Sequence, residues 1–423
     1  MINFIKNKLP HNLKIRKTFG ILKGFLAYLI NFGVLNGVQI VGITGTDGKT
    51  SATIFTAQLL QNLGIKTAAM SSELFFLDGK ILENKTKRTT ASPFVIFNFI
   101  KKAKNKGVKL IIIEVSSHSL EQGRLFGINF DYSAVLNLSQ EHLDYHGTIE
   151  KYAQSKAKII GKAKKSVILQ KNILCKDVFI SAFEKSKKLF LQEVFLGEGL
   201  INKKILIGKK IRNFDDGILF DLEFFGEKIS DLKLNILGEY NVENLLFSLA
   251  IFNEILKNSD EKIFDNSENF SELRKKFLKY KENNEENFIK IFEDEIKKSV
   301  SKIFPIPGRF DELKFGQDFK IFISFAVTPQ AVEKTLKYSQ KIKLENGKVF
   351  LVFGATGGQH DHGKRPILGE VAGNFADVSV LTDDETYGED SMKIMSEVEP
   401  GLKKSGGEYE IIQDRGEAIR FAL

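Results

Sequence analysis

The chain has 423 residues, 43% of them hydrophobic and 27% charged, with one cysteine and a formal net charge of +9. That length exceeds what a single core usually supports, so a soluble globular protein of two or three domains is expected. The lone Cys175 excludes an intramolecular disulfide framework or a cysteine-rich metal site and suits a reducing cytoplasm; the lysines are spread along the chain, which suits small anionic ligands and argues against nucleic acid.

Met1 to Lys17 is basic and Phe19 to Val34 is largely apolar. Lys23 interrupts the apolar run, no small-residue cleavage site follows, and the run is shorter than the roughly 20 residues of a membrane span. Residues 1–37 are therefore read as a basic, apolar helical segment packed on the domain, with peripheral membrane contact as the alternative.

A β-branched apolar run, Val38 to Ile43, then turns abruptly into Thr44, Gly45, Thr46, Asp47, Gly48, Lys49, Thr50 and Ser51, and Ala52 to Leu63 continues with helical character. Strand, glycine-rich turn and helix make a phosphate loop. Glycines let backbone N–H groups close around phosphate oxygens, and the helix N-terminus favours the negative charge. Lys49 would lie against the β- and γ-phosphates, and Thr50 would place its hydroxyl on Mg²⁺. The spacing is irregular, because Ile43 holds the usual first glycine position and Gly42 stands one residue early.

Strands and helices alternate as far as about Lys171, which predicts a parallel α/β sheet. The expected strands are Val38–Ile43, Leu110–Glu114, Tyr132–Leu136 and Ser166–Leu169; the expected helices are Ser51–Leu63, Pro93–Lys106 and Ile149–Ala163. Residues 172–237 read as a β-rich excursion, and Asn241 to Leu256 as a helix returning to the domain. Residues 257–301 are dominated by Glu, Lys and Asn and read as a solvated helical or loose insertion. Ile306-Pro307-Gly308-Arg309 punctuates the chain, and residues 305–423 alternate again as a second, Rossmann-like α/β domain. The central ATP-binding domain would thus span 38–304.

Glu114 ends an all-aliphatic strand and is followed by Val115-Ser116-Ser117-His118, a good position for holding Mg²⁺ beside a phosphate loop. His142 and His146, in Glu141-His142-Leu143-Asp144-Tyr145-His146-Gly147, follow another strand and suit a cation or a phosphate. Lys156, on the next helix, is not separable from Lys151 or Lys158 by periodicity.

Gly45–Thr50, Glu114–Leu120, His142–Gly147 and Ile306–Phe310 occur in an order and wording that resemble the Mur ligases, most closely their UDP-N-acetylmuramyl-tripeptide synthetase branch. The resemblance implies a P-loop central domain and an ATP-dependent carboxylate–amine ligase. ATP would phosphorylate a carboxylate to an acyl phosphate, and an amino acid would attack it. By similarity, Gly45, Thr46, Asp47, Gly48, Lys49, Thr50 and Ser51 bind the triphosphate, and Thr50 and Glu114 hold one Mg²⁺. His142 serves a second Mg²⁺, and Lys156 matches a lysine that the family carbamylates. Asn241, Asn244 and Arg309 resemble nucleotide contacts. Thr89, Thr90, Ser116, Gln122 and Arg124 match residues that hold a muramyl-dipeptide, and Arg365, in the Gly-rich loop Gly354–Pro366 that resembles one in the family's C-terminal domain, is expected to contact substrate as well.

Four departures accompany the match. Only residues 1–37 precede the loop strand, so the family's uridine-binding domain is expected to be missing. Ser324-Phe325-Ala326-Val327 stands for the usual Asp-Tyr-Ala-His. Asp384-Glu385-Thr386-Tyr387 replaces Asp-Asn-Pro-Arg, which disfavours diaminopimelate, whose distal carboxylate an arginine would bind, and suits lysine or another cationic amine. The chain also stops before the family's last amino-acid loop. The alternatives are ligation to a folate-type or lipid-linked acceptor, or a nucleotide-binding module without catalysis.

Overall fold

The computed structural model describes residues 13–86, 88–186, 189–198, 205–264, 271–283, 288–358 and 361–423. Its elements, in chain order, begin with helix α1 (Leu13–Ile30), strand β1 (Gln39–Thr44), α2 (Lys49–Asn62), the short strands β2 (Thr67–Met70), β3 (Leu74–Leu77) and β4 (Lys80–Glu83), and α3 (Pro93–Asn105). Next come β5 (Leu110–Glu114), α4 (Ser117–Glu121), β6 (Phe130–Val135), α5 (Leu143–His146), α6 (Ile149–Ala157), β7 (Ala163–Gln170) and α7 (Lys176–Lys185). Strands β8 (Phe190–Leu196), β9 (Ile205–Phe214), β10 (Gly217–Phe224) and β11 (Glu227–Leu234) follow, then α8 (Tyr240–Asn258), α9 (Ser271–Glu282) and α10 (Ile289–Val300). The last part holds β12 (Arg309–Leu313), β13 (Ile321–Ser324), α11 (Pro329–Ile342), β14 (Phe350–Phe353), α12 (Lys364–Phe375), β15 (Val378–Leu381), α13 (Ser391–Ser405), β16 (Glu408–Ile411) and α14 (Arg415–Ala422).

Chain contacts divide these into two units, Met1–Leu138 with Ala153–Phe304, and Ser139–Tyr152 with Pro305–Leu423. In the first, β1 to β11 form one sheet in the order β11-β10-β9-β8-β7-β6-β1-β5-β2-β3-β4. Strands β9 to β2 along that order run parallel, and antiparallel hairpins close both edges. The aliphatic run Leu110-Ile111-Ile112-Ile113 is buried throughout, as a strand covered on both faces requires. Strand β1 lies between β5 and β6, the switch point where such sheets bind ligands at their carboxyl ends. The β-rich stretch after residue 172 extends this same sheet.

Helix α2 is buried from Thr50 to Leu60 and packs against α8, itself buried from Val242 to Leu256 apart from Glu243. Thr56 Oγ1 and Ser248 Oγ pair at 3.0 Å across that contact, so two polar groups inside the layer satisfy each other. The helix expected over Ile149–Ala163 ends at Ala157, and Ile160–Lys162 is a 3₁₀ turn leading straight into β7.

The stretch read as solvated between 257 and 301 is corrected by α10. Phe288, Phe292, Ile296 and Val300, at helical spacing, are all fully buried, and Phe288 and Phe292 meet the ring of Phe252 at 5.9 and 5.6 Å. An apolar stripe lies hidden among the Lys and Glu of the opposite face.

In the second unit β14, β15 and β16 form a parallel three-stranded sheet, and β12 and β13 an antiparallel pair. Leu336, Phe353, Leu368, Leu381, Val398 and Leu402 share its core.

Candidate active site

Gly48 has φ +76°, the left-handed region that L side chains avoid, and a Cβ there would lie 2.3 Å from Asn244 Oδ1. Glycine is therefore required at this corner, and α8 is thereby held against the loop. Gly42 has a different reason: a Cβ would meet the Phe130 ring at 2.8 Å, so this residue serves the β1–β6 contact inside the sheet. The irregular glycine spacing dissolves, since only Gly45 and Gly48 belong to the loop itself.

Asn137, just beyond β6, fixes the loop. Its Oδ1 accepts from Thr46 N and Asp47 N at 2.9 Å each, and its Nδ2 donates to Asp47 O at 3.1 Å. Lys49 Nζ donates to Thr46 O at 2.6 Å, and Ser51 falls in the first turn of α2. That turn presents the N–H groups that helix geometry leaves outside the i→i−4 ladder, at the positive end of the helix dipole.

Glu114 closes β5 with 1% exposure. Its Oε2 accepts from Thr50 Oγ1 at 3.1 Å and Ser72 N at 2.7 Å, and its Oε1 accepts from Ser72 Oγ at 3.0 Å. A buried carboxylate and a hydroxyl this close, beside a phosphate loop, form the oxygen donor set that a hard divalent cation takes. Lys156 is likewise 1% exposed and donates from Nζ to Gly45 O at 2.7 Å, whereas Lys151 and Lys158 are exposed. Burial thus distinguishes the one lysine that periodicity could not.

The Glu114 main chain continues into a second group. Thr90 Oγ1 donates to Glu114 O at 3.0 Å, and Ser116 N donates to Thr90 Oγ1 at 2.9 Å. Arg124 donates to Thr90 O at 3.1 Å, and through Nε and a terminal nitrogen to Gln122 Oε1. Thr89 adjoins this group in the chain. Asn241 and Asn244 join at 3.3 Å on the first turn of α8, where Asn241 also donates to Leu237 O. Within the first unit the structure therefore unites the loop, Glu114, Lys156, Asn241, Asn244 and the Thr90–Ser116–Gln122–Arg124 group.

Ser72 and Asn137 were not found from the sequence. Ser72 lies in a two-serine turn without a motif, and Asn137 is marked only by its place just past a strand tip.

The second unit carries His142, Arg309 and Arg365. His142 is left-handed, with φ +57°, and caps the short α5; its neighbour Glu141 is bound by the buried Lys364 at 2.9 Å. Arg309 stacks over the Phe325 ring at 5.1 Å. Arg365, read from the sequence as a substrate contact, is completely buried. Its guanidinium binds Glu389 at 2.7 Å and Glu397 at 2.7 Å, and it holds the Glu389 carboxyl down at about 2. Its second terminal nitrogen also donates to Thr356 O at 3.1 Å, so both terminal nitrogens are engaged within the second unit. Gln359 and His360 of the same loop lie outside the described residues.

The acidic turn after β15 is held by its own contacts. Tyr387 donates its hydroxyl to the Glu385 carboxylate, which raises the phenol pKa, and Gly357 N donates to Glu385 O at 2.8 Å.

Residues 43–252 match the Mur ligase middle domain, and residues 308–423 match the Mur ligase, glutamate ligase domain. A UDP-N-acetylmuramoyl-L-alanyl-D-glutamate–2,6-diaminopimelate ligase of Caldanaerobacter subterraneus subsp. tengcongensis is 30% identical over 91% of this chain and 70% of its own length. A UDP-N-acetylmuramyl-tripeptide synthetase of Treponema denticola is 29% identical over 91% of this chain and 68% of its own. Among solved structures, a diaminopimelate ligase of the same description superposes with TM-score 0.58 at 25% identity, covering 96% of this chain and 74% of its own. A Mycobacterium tuberculosis folylpolyglutamate synthase complexed with ADP and AMPPCP reaches TM-score 0.71 at 14% identity, covering 95% and 87%, and shares the fold.

Proposed function

The chain belongs to the Mur ligase family, and from that premise we propose that it is an ATP-dependent ligase of the tripeptide-synthetase type. It adds an amino acid to a UDP-N-acetylmuramoyl-dipeptide-type carboxylate in peptidoglycan precursor synthesis. The observation that carries this reading is the double use of Glu114. Its carboxylate meets Thr50 of the phosphate loop, and its main-chain oxygen meets Thr90 of the group matched to acceptor binding. One strand tip thus serves both the nucleotide and the carboxylate.

Phosphoryl transfer between two anions calls for charge and positioning more than for covalent catalysis. A carboxylate oxygen of the acceptor attacks the γ-phosphorus, and the bond to the β-phosphate oxygen breaks to release ADP. The amine nitrogen then attacks the acyl carbon, loses a proton, and expels inorganic phosphate. Lys49 and the first turn of α2 balance the charge of the β- and γ-phosphates. Thr50 and Glu114 would hold Mg²⁺, which when bound neutralises charge shared between phosphate oxygens. Asn244 fixes the Gly48 corner, and Arg124, oriented by Gln122 and Thr90, offers a cation to an acceptor carboxylate. The buried position of Lys156 beside Gly45 supports the family's carbamylated lysine. For His142 at a second Mg²⁺, and for Arg309 at the nucleotide, the support is the resemblance in sequence.

The acidic residues Asp384 and Glu385 support a cationic incoming amine such as lysine, although several relatives are named for diaminopimelate. Glu114→Gln is expected to reduce ADP formation by at least about a hundredfold and to raise the Mg²⁺ concentration needed for half-maximal rate. Turnover within a few-fold of the parent, at an unchanged Mg²⁺ requirement, would remove Glu114 from the proposal.

A further inference from the structure

Helix α1 is apolar on two sides. Its inner side lies against the Gln122–Gly127 segment at very short range. A Cβ at Gly20 would stand 2.0 Å from Gln122 O, and one at Gly24 would stand 2.7 Å from Gly123 O. Ala27 is fully buried, and Tyr28 meets the rings of Phe97 and Phe126 at 6.3 Å each. This side is used for packing.

Among the described residues the outer side is covered only in part, Phe25 meeting the Phe126 ring at 5.6 Å and Phe32 the Tyr28 ring at 6.2 Å. Leu22, Phe25, Leu26, Leu29, Ile30 and then Phe32 are between 41% and 76% exposed. Positions 22, 25, 26 and 29 repeat at i, i+3, i+4 and i+7, so they make one stripe along the helix. Single exposed apolar residues need no explanation, whereas a contiguous stripe marks an interaction surface.

Charge indicates what that surface meets. Lys6, Lys8, Lys14, Arg16, Lys17 and Lys23 precede the first acid of the chain, Asp47. A second copy placed on this face by a two-fold axis would bring basic residues onto a helix that holds no acid to pair with them. Crossing a bilayer is not an option for α1 either, since no described helix is long and apolar enough. A helix with an apolar stripe and a purely basic charge complement lies in the plane of an anionic interface.

We propose that α1 seats the chain flat on a membrane surface rich in anionic headgroups, with Leu22, Phe25, Leu26, Leu29 and Ile30 entering the headgroup–acyl boundary. The same helix packs on the segment that carries Gln122 and Arg124, so the acceptor group stands next to the seated helix. The membrane seat does not depend on the ligase reading and is tested without turnover.

The full chain is floated with phosphatidylcholine vesicles and with vesicles containing about one-third phosphatidylglycerol, at low and high salt. At about 0.1 M salt, binding to the anionic vesicles is expected to exceed binding to the neutral ones at least tenfold and to fall as salt rises. Leu26→Asp with Ile30→Asp is expected to lower anionic-vesicle binding at least tenfold with an unchanged thermal midpoint. The lipid and salt dependence of the unaltered chain requires no variant. Absent binding, equal binding to both vesicle types, or undiminished binding by the double variant overturns the proposal. So does a dimer in sedimentation that the double variant converts to monomer, which would assign the stripe to a second copy.

Discussion

Gly48 shows how one backbone angle commits a residue. Its φ of +76° and the 2.3 Å approach of Asn244 Oδ1 leave no room for a methyl group. Gly48→Ala is expected to cost about 1–3 kcal/mol of local strain and to weaken ATP binding at least tenfold, as read by calorimetric titration. Lys156 makes a different commitment, since a buried amine on Gly45 O places a nitrogen at the loop. Lys156→Ala should abolish turnover, and added short carboxylates should restore part of it if the lysine works as its carbamate. No rescue, with an unmodified Lys156 in the mass spectrum, would remove that role. Arg365 is the third case. It lowers the Glu389 carboxyl to about 2, below its ordinary 4.5, so the pair stabilises the second unit above that ordinary value, and the contribution fades as pH falls towards 2. Arg365→Ala leaves two carboxylates without their buried partner, at a cost of about 3–5 kcal/mol. Glu389→Gln should flatten the acid limb of the melting profile between about pH 5 and pH 2. An unchanged acid limb would mean that the pair adds no stability.

Among the elements, α10 separates composition from pattern. Phe292→Ala in this helix is expected to destabilise the first unit by about 3–5 kcal/mol, measured by urea unfolding; a loss under about 1 kcal/mol would return the segment to the surface. Residues 257–301 are rich in Glu, Lys and Asn, and that richness hid Phe288, Phe292, Ile296 and Val300, whose spacing was legible all along. Longer aliphatic runs spoke more clearly. Leu110–Glu114 was legible as a strand with the same bounds, because four consecutive aliphatics ending in an acid fit few other settings. The four-residue strands β2, β3 and β4 escaped, being too short for alternation to register. At the candidate site every residue singled out from the sequence had a motif around it, whereas Ser72 and Asn137, which hold Glu114 and the loop, carry none. Arg365 was selected for its loop, and its burial against Glu389 and Glu397 was hidden because sequence does not show the two carboxylates converging on it.

For the molecule as a whole, the two family matches, 43–252 and 308–423, describe one ligase chemistry, and the departures in sequence fall on the amino-acid side, at Asp384–Tyr387, and on ATP contacts that the resemblance implies for the stretch from Ser324 to Val327. Ser324 and Val327 stand where the family carries Asp and His; Val327 contributes its main-chain oxygen to Lys364, at 3.2 Å, and its side chain is 41% exposed. In the first unit the phosphate loop meets Glu114 through Thr50 and Lys156 through Gly45, so coupling of ATP to amide formation is the activity to measure. The direct measurement is ADP release by the purified chain with Mg²⁺ and ATP, with a muramyl-dipeptide carboxylate and an amino-acid panel supplied singly and together. ADP and inorganic phosphate should appear in equal amounts only when carboxylate and amine are both present, with lysine favoured over diaminopimelate, and Lys49→Ala should abolish the signal. Nucleotide binding without ADP release under any pairing would contradict a ligase and leave a nucleotide-binding module.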